Sequence, residues 1–388
     1  MIGGGRRFGF ISGVLAGAIV ALALTALIRE LRGEDFEDLP LSEQARQVIQ
    51  ANYFEEVPPE ELERSSVRGM VRELRREYED RFSHYFDPEA LEEFQTSTSG
   101  SFSGVGLTVS EVPRGLRVAS VFPDTPAARA NLREGDVITA VDGESIAGES
   151  SDISTAKIKG PPGTEVTLRI IPADGGEPRE VTLERARVRI PAAAGRMVRR
   201  GGVPLAYVRY ATFSQGSHGE LREEIERLRD RGAEGLILDL RGNGGGLLNE
   251  AVLSASLFVE DGVIVETEAR SRGRKTYDAV GDALPEQPMV VLMNRDTASA
   301  AEILAAAVQA HDLATLVGTR TYGKGTFQEV IHLPAGGALD LTVGEYFTAA
   351  GVSLAGEGVK PDVRAADDPD TRRDEALAAA VRELRARL

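Results

Sequence analysis

With 388 residues, the chain is too long for a single ordinary hydrophobic core, so two or three domains are expected. Its formal net charge of -16, with no segment that concentrates Lys and Arg, excludes nucleic acid as the main partner. The lack of cysteine excludes disulfides, thiolate catalysis and cysteine-based zinc sites, and the four histidines lack metal-ligand spacing.

An uncharged apolar segment lies near the start of the chain, at residues 8–28. It is long enough to cross a bilayer as a helix and longer than the apolar part of a usual signal peptide. We therefore expect residues 1–35 to form a cytoplasmic tail, a transmembrane signal-anchor and a linker. A cleaved signal peptide is the alternative. Arg6 and Arg7 before the segment are matched by Arg29 and Arg32 after it, and we favour the orientation with the short basic tail inside and the long acidic body outside.

Two units are expected before the largest domain. Residues 36–98 alternate apolar and charged positions at helical spacing, which predicts a small helical domain. Residues 99–190 contain short β segments separated by turns, with one helix opening at Pro126 and another near residues 150–158. This second unit is a compact β/α module.

The order of elements in the module resembles that of a PDZ domain, with the sequence "PAARANLREGDVITAVDG" after its glycine loop. In that family the loop offers backbone N–H groups to the C-terminal carboxylate of a ligand, which adds to the sheet as a strand. On its own the loop would be an ordinary β-turn. Together the motifs imply that substrate C termini bind at Gly104, Val105, Gly106 and Leu107.

Residues 191–388 alternate apolar strands with helices, which predicts an α/β domain whose sheet is largely covered and which ends in an amphipathic helix. Its first notable stretch, residues 239–246, has four glycines among five residues between a strand and a helix. A dinucleotide fingerprint would need glycine where Leu247 stands, so that alternative fails. A loop of exposed amides that holds an anionic oxygen, or a plain tight turn, stays open.

The second stretch, residues 294–302, joins a strand to an alanine-rich helix. If Asp296 or Thr297 caps that helix, Ser299 and the N–H of Ala300 lie in its first turn. A serine at this place could attack a carbonyl while the neighbouring N–H receives the oxyanion. An ordinary helix start is the alternative.

The third stretch, residues 318–327, comes within one residue of a phosphate loop. Gly325 stands where that loop needs Ser or Thr, and a strand follows where it needs a helix, so nucleotide binding is disfavoured. Only five of the 45 basic residues are lysines, and lysine, unlike arginine, can lose its proton in a protein. A buried Lys324 with a lowered pKa could act as a general base for a serine.

The three motifs "DLRGNGGG", "TASAAEI" and "TYGKGTFQ", in this order behind a PDZ-like module, resemble those of the carboxyl-terminal processing peptidases. Members of that family use a serine nucleophile 25 positions before a lysine base, which is the interval from Ser299 to Lys324. The resemblance implies that Gln328 orients the lysine, and that Ala300 and Gly245 supply the oxyanion amides.

The chain departs from the family pattern in two places. Ala301 replaces a second serine of the family motif, and Ala310 stands where some relatives have an aspartate, with Asp312 two residues later. The first change leaves the assigned nucleophile untouched, whereas the second leaves the role of an acid open.

The sequence contains two other serine arrangements that resemble known catalytic sites. Ser154 and Lys157 match S-x-x-K but lack the companion motifs of β-lactamases, so a solvated helix face is expected. A triad using His311 and Asp312 lacks a G-x-S-x-G sequence to supply its serine.

These patterns predict a multidomain α/β (α+β) protein with a membrane helix, a helical domain, a PDZ-like domain at 99–190 and an α/β protease domain at 191–388. We expect a membrane-anchored serine endopeptidase that needs neither metal nor nucleotide. The family resemblance implies protein or peptide substrates with apolar C termini. A non-catalytic PDZ adaptor is the alternative, and the sequence is compatible with an oligomer.

Overall fold

The computed structural model describes residues 39–200, 202–367, 371 and 373–388. It divides the chain into two compact units, one ending at Asp87 and one spanning Pro88–Leu388. The first contains helix α1 (Leu41–Asn52), helix α2 (Pro59–Glu77) and the short strand β1 (His84–Phe86). These helices confirm the helical pattern of that region.

Among the residues that the structure describes, no helix has both the length and the apolar character needed to cross a bilayer. The expected membrane segment, residues 8–28, lies outside the described residues. The signal-anchor therefore stays a prediction.

The second unit starts with helix α3 (Pro88–Thr98) and continues into the PDZ-like module. The elements of the module are β2 (Ser101–Gly104), β3 (Leu107–Val112), β4 (Gly115–Val121), α4 (Pro126–Arg129), β5 (Val137–Val141), β6 (Glu144–Ser145), α5 (Ser151–Ile158), β7 (Glu165–Ile171), β8 (Arg179–Glu184) and β9 (Ala186–Arg189). The main sheet has the order β3-β4-β5-β7-β8, so β3 is an edge strand, and β2 pairs with β9. Both helices expected from the sequence are present.

The remaining elements form the α/β domain. They are β10 (Ala193–Arg200), β11 (Val203–Tyr210), α6 (Ser217–Asp230), β12 (Gly235–Asp239), α7 (Leu248–Ala255), β13 (Val263–Ala269), β14 (Gly273–Asp278), β15 (Met289–Met293), α8 (Ala300–Ala310), β16 (Thr315–Gly318), β17 (Thr326–His332), β18 (Ala338–Thr348), β19 (Val363–Arg364) and α9 (Glu375–Arg385). The hairpin of β13 and β14 lies in a stretch for which the sequence patterns predicted no strands.

The main sheet of this domain has the order β10-β11-β12-β15-β16-β19, and its pairings are parallel except for that of β10 with β11. Alternate residues of β12 contribute to different cores, because Leu236 and Leu238 belong to the core shared with α6, α7 and α8, whereas Ile237 packs with α9. Helices therefore cover both faces, which confirms the expected buried sheet.

This topology brings the three sequence motifs together. The glycine loop follows β12, the segment with Ser299 follows β15, and the segment with Lys324 follows β16. These three strands are neighbours and parallel, so their carboxyl ends meet at one edge of the sheet. Ligand sites of open α/β sheets lie at such an edge.

Candidate active site

Ser299 occupies a strained position between β15 and α8. Its φ of 55° and ψ of -119° place an L residue in a region that mainly glycine adopts, and the residue is 6% exposed. Strain of this kind costs about 1–3 kcal/mol and persists only where the surroundings enforce it. The local fold therefore fixes the direction of the Ser299 side chain.

The expected helix cap was wrong. Ser299 itself is the N-cap residue of α8, and the helix begins at Ala300. Thr297 instead closes the preceding turn, because its hydroxyl donates to the Leu240 carbonyl at 2.9 Å and accepts from the Asn294 N–H at 3.0 Å. The polar residues before Ser299 thus hold the end of β15 against the glycine loop.

The two predicted oxyanion amides lie beside Ser299 but differ in their hydrogen bonding. In the described part of the chain, the N–H of Ala300, the first residue of α8, has no acceptor. Gly245 packs so closely that a Cβ on it would lie 2.8 Å from Ser299 Cβ and 2.9 Å from the Ala300 nitrogen. However, the Gly245 N–H donates to Asn243 Oδ1 at 2.9 Å, so its role as an oxyanion donor stays a prediction.

A buried carboxylate, Glu302, joins the serine and lysine segments. Glu302 is 0% exposed, and its Oε2 accepts from the backbone N–H of Ser299 at 2.8 Å and of Lys324 at 2.9 Å. Its Oε1 accepts from the N–H of Gly323 at 2.7 Å and from the Thr321 hydroxyl. One side chain therefore holds Ser299 and Lys324 on either side of a single oxygen atom.

The sequence patterns missed Glu302 as a site residue. A signal was present, because Ser299 and Glu302 match the capping box S-x-x-E, in which the acid accepts from the N-cap N–H. That half of the capping box forms here. Its second function, fixing the segment that contains Lys324, requires the tertiary structure.

The segment that contains Lys324 packs tightly against the backbone of Ala355 and Gly356. The Gly323 carbonyl accepts from the Gly356 N–H at 3.0 Å, and Gly325 contacts the backbone of Ala355. Burial lowers the pKa of the Lys324 amine below its ordinary value of 10.5, while the charges of Asp340 and Glu302 oppose this shift. A lysine that acts as a general base near neutral pH needs a lowered pKa, so the shift has the required direction.

Gln328 does not lie where a continuous strand would have placed it. Strand β17 begins at Thr326, two residues after Lys324, and its pairing with β18 shifts register between Phe327 and Gln328. An even spacing along one strand would place the side chains of Lys324 and Gln328 on the same face, but Lys324 lies outside β17, so this spacing does not relate them. The hydrogen bonds of the Gln328 amide go to Thr342 at 3.1 Å and Thr326 at 3.4 Å.

The glycine loop is anchored by Arg241, another residue without a predicted role. Its guanidinium donates to Asp239 at the end of β12 at 2.7 Å and to Asp374, the N-cap of α9, at 2.9 Å. The Tyr207 hydroxyl also donates to Asp239, at 2.7 Å, and burial with this partner raises the pKa of Tyr207 to about 12. The loop beside Ser299 is thus tied to the helix on the opposite face of the sheet.

In the PDZ-like module, the predicted carboxylate loop lies between β2 and β3. The Val105 carbonyl accepts from the Ala127 N–H at 2.8 Å, and the Gly106 carbonyl accepts from the Phe122 N–H at 3.0 Å. Within the described residues, the N–H groups of Val105 and Gly106 have no acceptor. The loop turns its carbonyls inward and leaves these two amides available.

The lowered pKa of Lys324 predicts a pH dependence of cleavage. Because the neutral amine is the form that accepts a proton, we expect kcat/KM to rise with pH through the pKa of Lys324, with a midpoint below 10.5. Asp340→Asn removes a charge that favours the ammonium form, so its midpoint should lie at lower pH than that of the wild type. A wild-type midpoint at or above 10.5 would contradict the assignment.

Gly325→Ala is expected to abolish most activity and to lower the melting temperature. Its Cβ would overlap the backbone nitrogen and Cα of Ala355, which cannot move without shifting the segment that contains Lys324. Overpacking of this kind typically costs about 1–3 kcal/mol. Gly219→Ala is the matched control, since a Cβ there meets no atom within 4 Å. Equal melting temperatures and activities for both variants would refute the tight packing around Gly325.

Two protein-family models match the chain. The model of peptidase family S41 matches residues 204–365, and that of the PDZ domain matches residues 103–184. The chain is 31% identical over 364 residues to a carboxy-terminal-processing protease of Bartonella bacilliformis, covering 91% of this chain and 81% of that protein. It is 36% identical over 302 residues to the carboxyl-terminal-processing protease of Synechocystis, covering 77% and 71%.

Two solved structures are also similar. The photosystem II D1 C-terminal processing protease is 31% identical, with a TM-score of 0.50 over 90% of this chain and 92% of that chain. A putative S41 protease from Bacteroides fragilis, at 19% identity and a TM-score of 0.51, covers 80% and 88% and supports the fold alone. The chain belongs to peptidase family S41 and is a C-terminal processing serine protease with a PDZ domain.

Proposed function

We propose that this protease cleaves its substrates with Ser299 as the nucleophile and Lys324 as the general base. The observation that carries the proposal is the shared acceptor Glu302 Oε2, which holds the backbone of both residues in one site. The strained backbone of Ser299 and the lowered pKa of Lys324 support the same roles.

In this mechanism, the neutral amine of Lys324 takes the proton of Ser299 Oγ as Oγ attacks the carbonyl carbon of the scissile peptide bond. The oxyanion accepts from the N–H of Ala300 and, once it is released from Asn243, from that of Gly245. The resulting ammonium group then protonates the leaving amine as the C–N bond breaks. Water then hydrolyses the acyl-enzyme with the amine of Lys324 as the base. The side-chain oxygen of Gln328, whose nitrogen donates to Thr326 and Thr342, is proposed to orient that amine.

The PDZ domain is proposed to select the substrate by its C terminus. The free amides of Val105 and Gly106 suit a carboxylate, and β3 is an edge strand with which another strand can pair. Together, Gly104 and Leu107 bound the loop at the ends of β2 and β3. Apolar tails are the expected preference.

A serine-directed fluorophosphonate probe tests the chemistry. We expect peptide mapping to find the probe on Ser299, and labelling should slow strongly in Lys324→Met, because the amine activates the hydroxyl. Labelling of another serine, or an equal rate in the variant, would overturn the assignment.

Tail capture needs a separate measurement. Gly106→Ala places a Cβ against Thr125 at a φ of 89°, whereas Gly143→Ala, at a φ of 83°, places one in open space. We expect Gly106→Ala alone to raise KM for a protein with an apolar tail, with cleavage of a short activated ester unchanged. Equal KM values for the two variants would contradict capture by this loop.

We also propose that residues 8–28 anchor the enzyme in a membrane with its catalytic domain outside the cytoplasm. The uncharged length of this segment is the support. In spheroplasts, which lack the outer permeability barrier, added protease should digest the catalytic domain, whether it is periplasmic or at the cell surface, and deletion of residues 1–35 should leave it in the cytoplasm. A domain that is protected in intact spheroplasts and digested only after their lysis would refute this topology.

A further inference from the structure

Asn243 connects the glycine loop with two other segments of the site. It is 0% exposed, and its side-chain Nδ2 donates to the Tyr210 carbonyl at the end of β11 at 2.8 Å. Its Oδ1 accepts from the Gly245 N–H at 2.9 Å, and its backbone carbonyl accepts from the N–H of Ala298, the residue before Ser299, at 2.9 Å. Both polar atoms of this buried side chain therefore have a partner.

The peptide group between Gly244 and Gly245 is held by the hydrogen bond to Asn243. No other described residue donates to the Gly244 carbonyl or accepts from the Gly245 N–H. A Cβ on Gly244 would meet no atom within 4 Å, whereas the Gly245 carbonyl is fixed by the N–H of Phe213 at 3.1 Å. Because the torsions on both sides of this peptide group belong to glycines, it can rotate at low steric cost. The Gly245 N–H can therefore change its acceptor while the rest of the loop stays in place.

Gly245 packs against both the nucleophile and the other proposed oxyanion donor. A Cβ on Gly245 would lie 2.8 Å from Ser299 Cβ and 2.9 Å from the Ala300 nitrogen, and its φ of 98° favours glycine. The oxygen of a carbonyl group under attack by Ser299 therefore becomes an oxyanion beside Gly245.

Two acceptors then compete for the Gly245 N–H. Before attack, the substrate offers a neutral carbonyl oxygen, which is no stronger an acceptor than Asn243 Oδ1, and a change of partner would leave that buried Oδ1 without a donor. After attack, the substrate offers an oxyanion, and hydrogen bonds to a charged acceptor are about twice as strong as those between neutral groups. The exchange is therefore unfavourable before attack and favourable after it.

We propose that Asn243 is a positioning residue whose Oδ1 holds the Gly245 N–H until the oxyanion forms and then releases it. This inference rests on the proposed roles of Ser299 and Gly245. As the Ser299 Oγ proton passes to Lys324, the C–O bond forms and the carbonyl π electrons become a lone pair of the oxyanion, to which the N–H turns without losing its own proton. Because the new hydrogen bond forms only as the reaction proceeds, it raises kcat with little effect on KM.

Crystal structures of two complexes test this exchange directly. A peptide boronic acid with an apolar side chain forms a tetrahedral adduct with a serine nucleophile, and its anionic oxygen stands for the oxyanion. We expect the Gly245 N–H to donate to that oxygen in the wild-type adduct, and to Asn243 Oδ1 in the complex of Ser299→Ala with an uncleaved peptide. A Gly245–Asn243 hydrogen bond that persists in the adduct would overturn the proposal, and so would one that is already broken in the peptide complex.

Asn243→Asp changes the strength of the competing acceptor with little change in shape. An ionised carboxylate binds the Gly245 N–H more strongly than an amide oxygen does and repels the oxyanion, so we expect kcat to fall by on the order of 10- to 100-fold with KM nearly unchanged. The affinity for the boronic acid should fall by a similar factor, because the adduct resembles the transition state. An unchanged kcat, a loss that lies entirely in KM, or a wild-type affinity for the boronic acid would contradict the proposal.

Asn294→Asp is the matched comparison for Asn243→Asp. The Oδ1 of Asn294 also accepts from an amide of the glycine loop, that of Gly242 at 3.0 Å, but Gly242 is not a proposed oxyanion donor. We therefore expect a much smaller loss of kcat and of affinity for the boronic acid. Equal losses in the two variants would show that any carboxylate against this loop impairs the enzyme, and would overturn the role of Asn243.

Failure of the underlying mechanism would give a different result. If Ser299 were not the nucleophile, the boronic acid would bond to another residue and Ser299→Ala would keep wild-type activity. If only the exchange failed, the adduct would form on Ser299 with the Ala300 N–H as its donor, and the Gly245 N–H would still donate to Asn243.

Discussion

Lys324→Arg is expected to lower kcat by roughly 10²- to 10⁴-fold, the usual contribution of general acid–base catalysis. Arginine keeps the positive charge beside Asp340 and Glu302 but cannot lose its proton at any working pH. Lys324→Met, which is uncharged and similar in length, should be as inactive because it has no proton acceptor. Initial rates on a protein with an apolar C terminus provide the measurement.

Comparison of Lys324→Arg with Lys324→Met distinguishes loss of the proton acceptor from loss of the positive charge. If Lys324 acted only as a fixed positive charge, arginine would preserve activity and methionine would abolish it. Lys157→Arg is a suitable control, since that lysine pairs with Glu149 at 2.8 Å in the PDZ domain. More than a tenth of wild-type activity in Lys324→Arg would contradict its role as the base.

Glu302→Gln is expected to cost about 100-fold or more in kcat, together with a loss of stability. The wild-type carboxylate accepts four hydrogen bonds, and a glutamine NH₂ in place of either oxygen would face two donors. Each buried group left unsatisfied costs about 1–3 kcal/mol. Because those donors belong to Ser299 and to the segment of Lys324, the two residues of the proposed catalytic pair would separate.

Glu250→Gln provides the matched control for Glu302→Gln. Glu250 is 6% exposed and accepts from the N–H of Gly216 at 2.8 Å and from His218 Nδ1 at 2.8 Å, among other donors. Its replacement should lower the melting temperature but leave kcat of the folded enzyme close to wild type. Equal losses of kcat in the two glutamine variants would show that Glu302 acts only through stability.

The candidate catalytic residues could be named from the sequence because each lies in a motif that follows an apolar strand. Apolar runs located β12, β15 and β16, and the motifs after them placed Ser299 25 positions before Lys324. Such patterns involve residues that are close in the chain, so they can be recognised without knowledge of the fold. The N-cap prediction was wrong because the Thr297 hydroxyl donates to the carbonyl of Leu240 instead of capping α8. Leu240 follows β12, so this partner cannot be identified from the residues near Thr297.

Periodicity and turn residues are local properties, so they were enough to predict most element types and the PDZ-like module, whereas the proposed pairing of Ser299 with Lys324 came from the family resemblance of the motifs. The tertiary structure was needed to show that three parallel strands end side by side and that Glu302 joins the segments that contain Ser299 and Lys324. Contacts between segments far apart in the chain depend on strand order and register. The residue pattern of one strand specifies neither its neighbours in the sheet nor its register with them.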